Sequence, residues 1–415
     1  MSRPNIAYFE YHDVFEDFYP KYGVTQQAFA ETWTGSFTYG LLRLVQSEFG
    51  DVVWYAFSLA PELTTSRHRE AGCLVRMMPS SIVHRAMWRA FYLPRAAWRW
   101  RRLYDWYATP ASYLATLSWP FVRAVLRERP DVILVQDYAN GRFDLLVLLA
   151  RCCRIPLIAF HSGSSPERYL GRWVKRWTIP RADWLLASSR VERDRLIASY
   201  GVDANKVRVV LTPIDTVAFA PCPRSEACAA AGLAPGRRYV LFMGRLDDRV
   251  KRVSSLIRAF AAVADRFSDV DLVIAGDGPD REHLRHVVEM TAASARVRFA
   301  GWIGAAKDRM HCYNAADCLV LPSRSEGFPT VVGEALACGT PVLASDVGGV
   351  SEIVVPGQSG WLVPALDDAA LVNALVCALS DPDLASMRVK ARQVAEERVS
   401  YTAVIGQLQQ CFAGR

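Results

Sequence analysis

Along the second half of the chain, short runs of aliphatic and β-branched residues alternate with stretches whose apolar positions recur at helical spacing. The runs are YVLFMG (239–244), DLVIAG (271–276), VRFAGW (297–302), DCLVLPS (317–323) and PVLAS (341–345). Between them the spacing predicts helices from about Val253 to Phe267, near 280–293, near 305–315 and from Thr330 onward. Strands that are apolar at consecutive positions suit a sheet covered on both faces, which is the parallel arrangement. The first half repeats the pattern less cleanly, with strands at NIAYFE (5–10), DVVWYAFS (51–58), DVILVQD (131–137), PLIAFHS (156–162) and DWLLASS (183–189) and a helix at about 37–48.

Residues 212–237 are rich in Pro, Ala, Gly and Ser, and their composition predicts a linker. A chain of 415 residues exceeds one ordinary core. The expectation is therefore an α/β chain with an N-terminal domain at 1–211, a linker at 212–237 and a second domain at 238–395. A last helix at 396–415 would return to the first domain. Two Rossmann-like, doubly wound parallel sheets would face a cleft and take ligands at the carboxyl ends of their strands.

Composition narrows the class. With 51% hydrophobic and 22% charged residues the chain reads as globular and soluble, and no apolar run approaches the roughly 20 residues of a membrane span. The first twenty residues lack the pattern of a secretory signal, so a cytoplasmic protein is expected. Ten cysteines include no Cys-x-x-Cys, which favours buried free thiols over bridges or a metal site.

The net charge of +7 is modest, but its distribution is not even. Between Glu70 and Asp105 there is no acid, while Arg76, Arg85, Arg89, Arg95, Arg99, Arg101 and Arg102 all occur. Pro94 divides HRAMWRAFYLPRAAWRWRRLYDWY (84–107) into two expected helices. On the second, Arg95, Arg99 and Arg102 share one face, and Ala96, Trp100, Leu103 and Tyr107 another. A cationic face beside an aromatic one suits an anionic membrane surface, and a helix packed on its own domain with arginines in water explains it as well. Arg168, Tyr169, Arg172, Trp173, Lys175, Arg176 and Trp177 form a second cluster of this kind. Nucleic acid is not expected as a partner, because the excess is local and no nucleic-acid motif accompanies it.

The chemistry-bearing residues lie at strand ends. SEGFPTVVGE (325–334) places Glu326 and Glu334 with seven residues between them, the first in a loop and the second about one turn into a helix that begins after Pro329. Two carboxylates can accept sugar hydroxyls, and the free N–H groups of Thr330 and its neighbours suit a phosphate between them. Arg245 closes the 239–244 strand and Lys251 follows it by six residues. Two cations there would neutralise charge on a departing diphosphate. Gly276 and Gly278 close the next strand.

As a set these residues resemble glycosyltransferase family 4, through ADWLLASS, IDTVAFAP, FMGRL, IAGDGP, VRFAGW, SEGFPTVVGEALACGTPVLASDVGG and SGWLVP, from about residue 183 to 400. The resemblance implies the GT-B fold and a retaining transfer from a nucleotide-diphosphate sugar. Arg245 and Lys251 would contact the diphosphate. Glu326 with the backbone of Gly327 and Phe328 would hold the donor sugar, and Glu334 the ribose. His161, in AFHSGS, would face the donor sugar, although a histidine there also serves packing or capping. Thr34-Gly35-Ser36 stands where the family's Gly-Gly loop would be, and residues 59–130 match no part of the pattern.

Asp269-Val270-Asp271 spells the Asp-x-Asp of metal-dependent sugar transferases, but it falls at a strand start, away from the ligand end. No metal and no cofactor are therefore expected beyond the donor substrate. The acceptor would be a glycan or a lipid-linked molecule in cell-surface polysaccharide or glycolipid synthesis, with the enzyme peripheral to the cytoplasmic face of a membrane. An epimerase, a phosphorylase and a non-catalytic nucleotide-sugar binder are the alternatives. The first two lack their own acid/base set or pyridoxal lysine here, and donor hydrolysis separates the third.

Overall fold

The apolar runs of the first half form eight strands among the described residues: β1 (Asn5–Phe9), β2 (Asp51–Ser58), β3 (Thr64–Arg67), β4 (Leu74–Pro79), β5 (Val132–Gln136), β6 (Leu157–His161), β7 (Trp184–Ala187) and β8 (Val207–Val209). They lie in the order β3-β4-β2-β1-β5-β6-β7-β8, parallel except for the β3–β4 pair at one edge. The central strands are buried at nearly every position, as their unbroken apolar runs require. The computed structural model describes residues 3–33, 37–91, 110–161 and 172–412.

The chain divides into two units, one made of Met1–Ser188, Glu192–Val210 and Gln407–Arg415, the other of Ser189–Val191 and Leu211–Gly406. In the second unit β9 (Arg238–Met243), β10 (Val270–Ala275), β11 (Val297–Gly301), β12 (Cys318–Leu321), β13 (Val342–Ser345) and β14 (Gly360–Val363) form a parallel sheet in the order β11-β10-β9-β12-β13-β14. The order reverses direction between β9 and β12, which opens a crevice at their carboxyl ends. In the first sheet the same reversal falls between β1 and β5.

Residues 212–237 are not a bare tether. They belong to the second unit and include a helix at Arg224–Ala231, closed by Gly232 in a left-handed conformation. Alanine makes that stretch a good helix former, which its Pro and Gly flanks hide in a composition count. Six cysteines are buried, but Cys152 and Cys377 are exposed, so burial does not explain them all. The final helix Tyr401–Phe412 contributes its last residues to the first unit, where Phe412 stacks on Phe49 at 4.5 Å.

Several expectations fall outside the described residues: Gly35 with its neighbours Thr34 and Ser36, the arginines from Arg95 to Arg102, and Arg168 and Tyr169. Of the basic aromatic segment the helix Ile82–Phe91 is described. There Trp88 packs against the core and donates its indole N–H to Asp17 Oδ1 at 2.7 Å, which makes it structural. Lys175 is a correction to the second cluster. It is buried, bonded to Asn140 O at 2.7 Å and Asp144 Oδ1 at 3.0 Å, and so contributes no surface charge. Trp173 and Trp177 of that cluster are exposed.

Candidate functional site

The crevice between β9 and β12 gathers most of the sequence-selected residues of the second unit. After β9, Gly244 and Arg245 lead into a short turn of helix, Asp248–Lys251. After β12, Ser323 leads to Glu326, and the helix Thr330–Ala337 follows with Pro329 as its extended N-cap. The two ends meet: Lys251 Nζ donates to Glu326 Oε1 at 2.6 Å, and Ser323 Oγ donates to the same oxygen at 2.5 Å. Oε1 is thus anchored, while Oε2 accepts nothing from a described residue. The Glu326 side chain is only 8% exposed, and Lys251 is the cation bonded to it.

Arg245 is exposed and pairs with no described residue, which leaves its guanidinium for a ligand. Gly327, Phe328 and Pro329 are buried beneath the loop, and Gly349 N–H ties down Gly327 O at 2.7 Å. The first N–H groups of the helix, at Thr330 and Val331, have no preceding turn to bond.

Gly276 and Gly278 fix the neighbouring wall. A Cβ on Gly276 would lie 1.8 Å from Gly244 O, at a φ of +149° that side chains rarely adopt. One on Gly278 would lie 2.4 Å from Leu246 O. The absence of side chains lets Leu246 N–H reach Asp277 O at 2.9 Å and Asp280 N–H reach Leu246 O at 3.1 Å. These two glycines therefore shape the crevice by holding two strand-end loops together.

Glu334 sits apart from Glu326, in a setting the sequence did not disclose. Arg309 grips it in a fork, Nε to Oε2 and Nη2 to Oε1, each at 3.1 Å, and Tyr313 OH donates to Oε2 at 2.8 Å. Burial disfavours the Arg309 charge, and Glu334 beside it more than restores it, so the guanidinium's pKa ends above its usual value. Burial and then the Glu334 charge raise the Tyr313 phenol, which stays a donor. Arg309 and Tyr313 are four apart on the helix Ala306–Ala315, a spacing that puts them on one face. That spacing was readable, but its target on another helix was not.

In the first unit, His161 ends β6 and its Nδ1 lies 3.0 Å from Asp137 Oδ1. Asp137 takes a left-handed φ of 75° and accepts Ala139 N–H at 2.7 Å through its carboxylate. Burial raises its pKa, but the His161 hydrogen bond and charge outweigh it, and the net direction is down. This histidine is thus held by a carboxylate, a partner that the sequence reading did not name. Nearby, the fully buried Arg142 donates to the carbonyls of Glu10, His12 and Asp13 at 2.6, 2.7 and 2.8 Å, clamping the loop after β1. Burial, with Asp17 adding to it, pushes the Asp13 carboxyl up to about 7.

Asp269 and Asp271 flank the amino end of β10 and are taken by Arg238 and Arg237 at 2.7 and 2.6 Å. They face away from the crevice end of the strand.

Two family descriptions tile this chain. "Glycosyltransferase Family 4" matches residues 51–218, and "Glycosyl transferases group 1" matches residues 224–398. The chain belongs to glycosyltransferase family 4. Within that family, the D-inositol 3-phosphate glycosyltransferase of Rhodococcus jostii is 33% identical over 248 residues, 58% of this chain and 54% of that protein. Its counterpart from Nocardia farcinica is 35% identical over 297 residues, 65% of each chain. The match therefore spans between about half and two thirds of these curated relatives. Among solved structures, Anabaena HepE in complex with UDP has a TM-score of 0.73 at 17% identity, covering 99% of this chain and 100% of that one. That likeness, with the two parallel sheets, makes the fold GT-B.

Proposed function

We propose that this family 4 chain transfers a glycosyl group from a nucleoside diphosphate sugar to a hydroxyl acceptor, with retention of configuration and without a metal ion. The observation that carries the reading is the state of the residues at the β9–β12 reversal. Among the described residues Arg245 is unpaired, Lys251 has donors left after Glu326 takes one, and Glu326 keeps Oε2 open. Cations at a strand end beside free helix N–H groups suit a diphosphate, and an oriented carboxylate suits the sugar's hydroxyls.

In the proposed step the acceptor oxygen attacks the anomeric carbon on the face the diphosphate leaves. The carbon–oxygen bond to the diphosphate breaks with its electron pair on phosphate, and the acceptor's proton passes to a phosphate oxygen. Arg245 and Lys251 stabilise the charge that builds there. HepE, of the same fold, was solved with UDP, which makes UDP-sugars the first donors to try.

The acceptor belongs to a glycan or lipid-linked class, and the basic aromatic segment from Arg85 to Arg102 would bring the enzyme to an anionic membrane face. No helix among the described residues is long and apolar enough to cross a membrane. Exposed Ile82, Val83, Trp173 and Trp177, with Arg89 and Arg176 exposed beside them in sequence, support a peripheral contact.

Binding of UDP-, GDP- and ADP-sugars, followed by slow hydrolysis, tests the activity. Saturable binding of one donor with release of its sugar is the expected result. A chain that binds none of them is not a glycosyltransferase of this kind.

A further inference from the structure

Asp137 follows β5 and His161 closes β6, so both stand at the carboxyl ends of the first sheet, beside the point where its order reverses. Two contacts of the Asp137 carboxylate fall on one atom. Oδ1 accepts Ala139 N–H at 2.7 Å and lies 3.0 Å from His161 Nδ1. With its pKa held below the usual value, Asp137 is ionised at neutral pH and can only accept. A neutral His161 ring must then carry its proton on Nδ1, which leaves a lone pair on Nε2. Nε2 bonds to no described residue, although the side chain is only 7% exposed.

The ring is also walled in. Tyr138 lies against it with ring centres 4.8 Å apart. Tyr138 OH donates to Glu192, which Arg195 grips through Nε and Nη2 at 2.7 Å each. Ser188 follows Ala187, the register partner of His161 on β7, and its buried hydroxyl has no partner among the described residues. A buried polar group left unmet at a strand end calls for a ligand or a water.

We propose that Asp137 is a positioning residue, which holds His161 as the Nδ1–H tautomer so that Nε2 accepts a hydrogen bond from a hydroxyl in the reaction. This rests on the proposal that the chain transfers a glycosyl group. The hydroxyl belongs either to the donor sugar or to the attacking nucleophile, which is water when the donor is hydrolysed. The opposite tautomer would present an N–H there, and the hydroxyl could then only accept.

Nitrogen-15 NMR of the histidine-labelled whole chain reads the tautomer without a ligand, near pH 8, where an imidazole is mainly neutral. The natural protein should show His161 protonated on Nδ1, its signal identified by its loss in His161→Gln. Asp137 has a left-handed φ of 75°, which Gly adopts without strain and Asn tolerates. Asp137→Gly should move the proton mainly to Nε2. Asp137→Asn should keep it on Nδ1, because an amide oxygen that stays on Ala139 N–H faces His161 as well. Hydrolysis of UDP-, GDP- or ADP-glucose should fall roughly tenfold or more in Asp137→Gly, and Asp137→Asn should recover most of that loss. A raised KM assigns the hydroxyl to the donor, and a lowered kcat alone assigns it to the nucleophile. A natural protein protonated on Nε2 overturns the inference, whether or not the variants fold. So does a Gly variant that keeps the natural tautomer, or one that changes tautomer and hydrolyses at the natural rate. A natural protein that turns over none of the three donors sinks the transferase reading, while the spectrum still decides what Asp137 does to His161.

Discussion

Lys251 Nζ stands 2.6 Å from Glu326 Oε1, joining the carboxyl ends of two strands between which the sheet order reverses. The pair has a structural and a chemical role, and substitutions can separate them. Lys251→Ala leaves a nearly buried carboxylate without its cation and should cost roughly 1–3 kcal/mol of stability. The double variant Lys251→Met/Glu326→Gln removes both charges and should recover most of that by denaturant titration. Turnover should stay down by roughly two to three orders of magnitude in both, and by as much in Arg245→Ala, whose stability should be unchanged. Full activity in the double variant would falsify the assignment.

Gly276 should tolerate no side chain. Gly276→Ala forces a Cβ onto Gly244 O at an unfavourable φ, and a loss of roughly 3 kcal/mol or more is expected. Gly236→Ala, where a Cβ meets nothing within 4 Å, should change stability by less than about 0.5 kcal/mol. Similar melting curves for the two variants would contradict the close approach of the two loops.

Asp13 gives a pH signature. Its folded pKa of about 7 lies above the ordinary 3.8, so the folded state holds the proton more tightly. Its stability contribution is whole below about pH 4, falls as pH rises, and is lost above about pH 7. Asp13→Asn should therefore stabilise the chain at pH 8 by on the order of 1 kcal/mol or more and leave it unchanged near pH 3.5. Equal effects at both pH values would show that the carboxyl is not perturbed.

Removal of metal should leave the rate intact, since Arg245, Lys251 and helix N–H groups are proposed to stabilise the leaving group. Turnover is to be measured after exhaustive chelation, and the product's anomeric configuration by NMR. A rate restored only by manganese, or an inverted linkage, would refute the mechanism.

The membrane contact predicts salt-sensitive binding to anionic vesicles, because each arginine near such a surface contributes on the order of 1 kcal/mol. Sedimentation with vesicles containing phosphatidylserine should fall with added salt, and fall again in an Arg95/Arg99/Arg102 to Ser triple variant. Indifference of the natural protein to those vesicles at low salt would leave the arginines a solvated face.

What the sequence determined by itself is local. Continuous apolar runs fixed the buried strands, among them β9, β10 and β12, and Pro329 with the apolar spacing after it fixed the helix that carries Glu334. Glycines 276 and 278 were legible as strand-end residues, although not as the contact points of two loops. Strand β4 is not legible in the sequence, because Arg76 interrupts its apolar run; in the structure that arginine pairs with Glu128 and lies over the Tyr55 ring. The helix Arg224–Ala231 was hidden by its Pro and Gly flanks.

Only the tertiary structure decided the partners. Lys251 and Glu326 are 75 residues apart, and Arg309 and Glu334 are 25 apart on different helices. Lys175 reads as a surface cation until Asp144 is placed beside it. A side chain's neighbours across a fold leave no periodicity in the sequence, and the charge state and free lone pairs of a carboxylate depend on those neighbours.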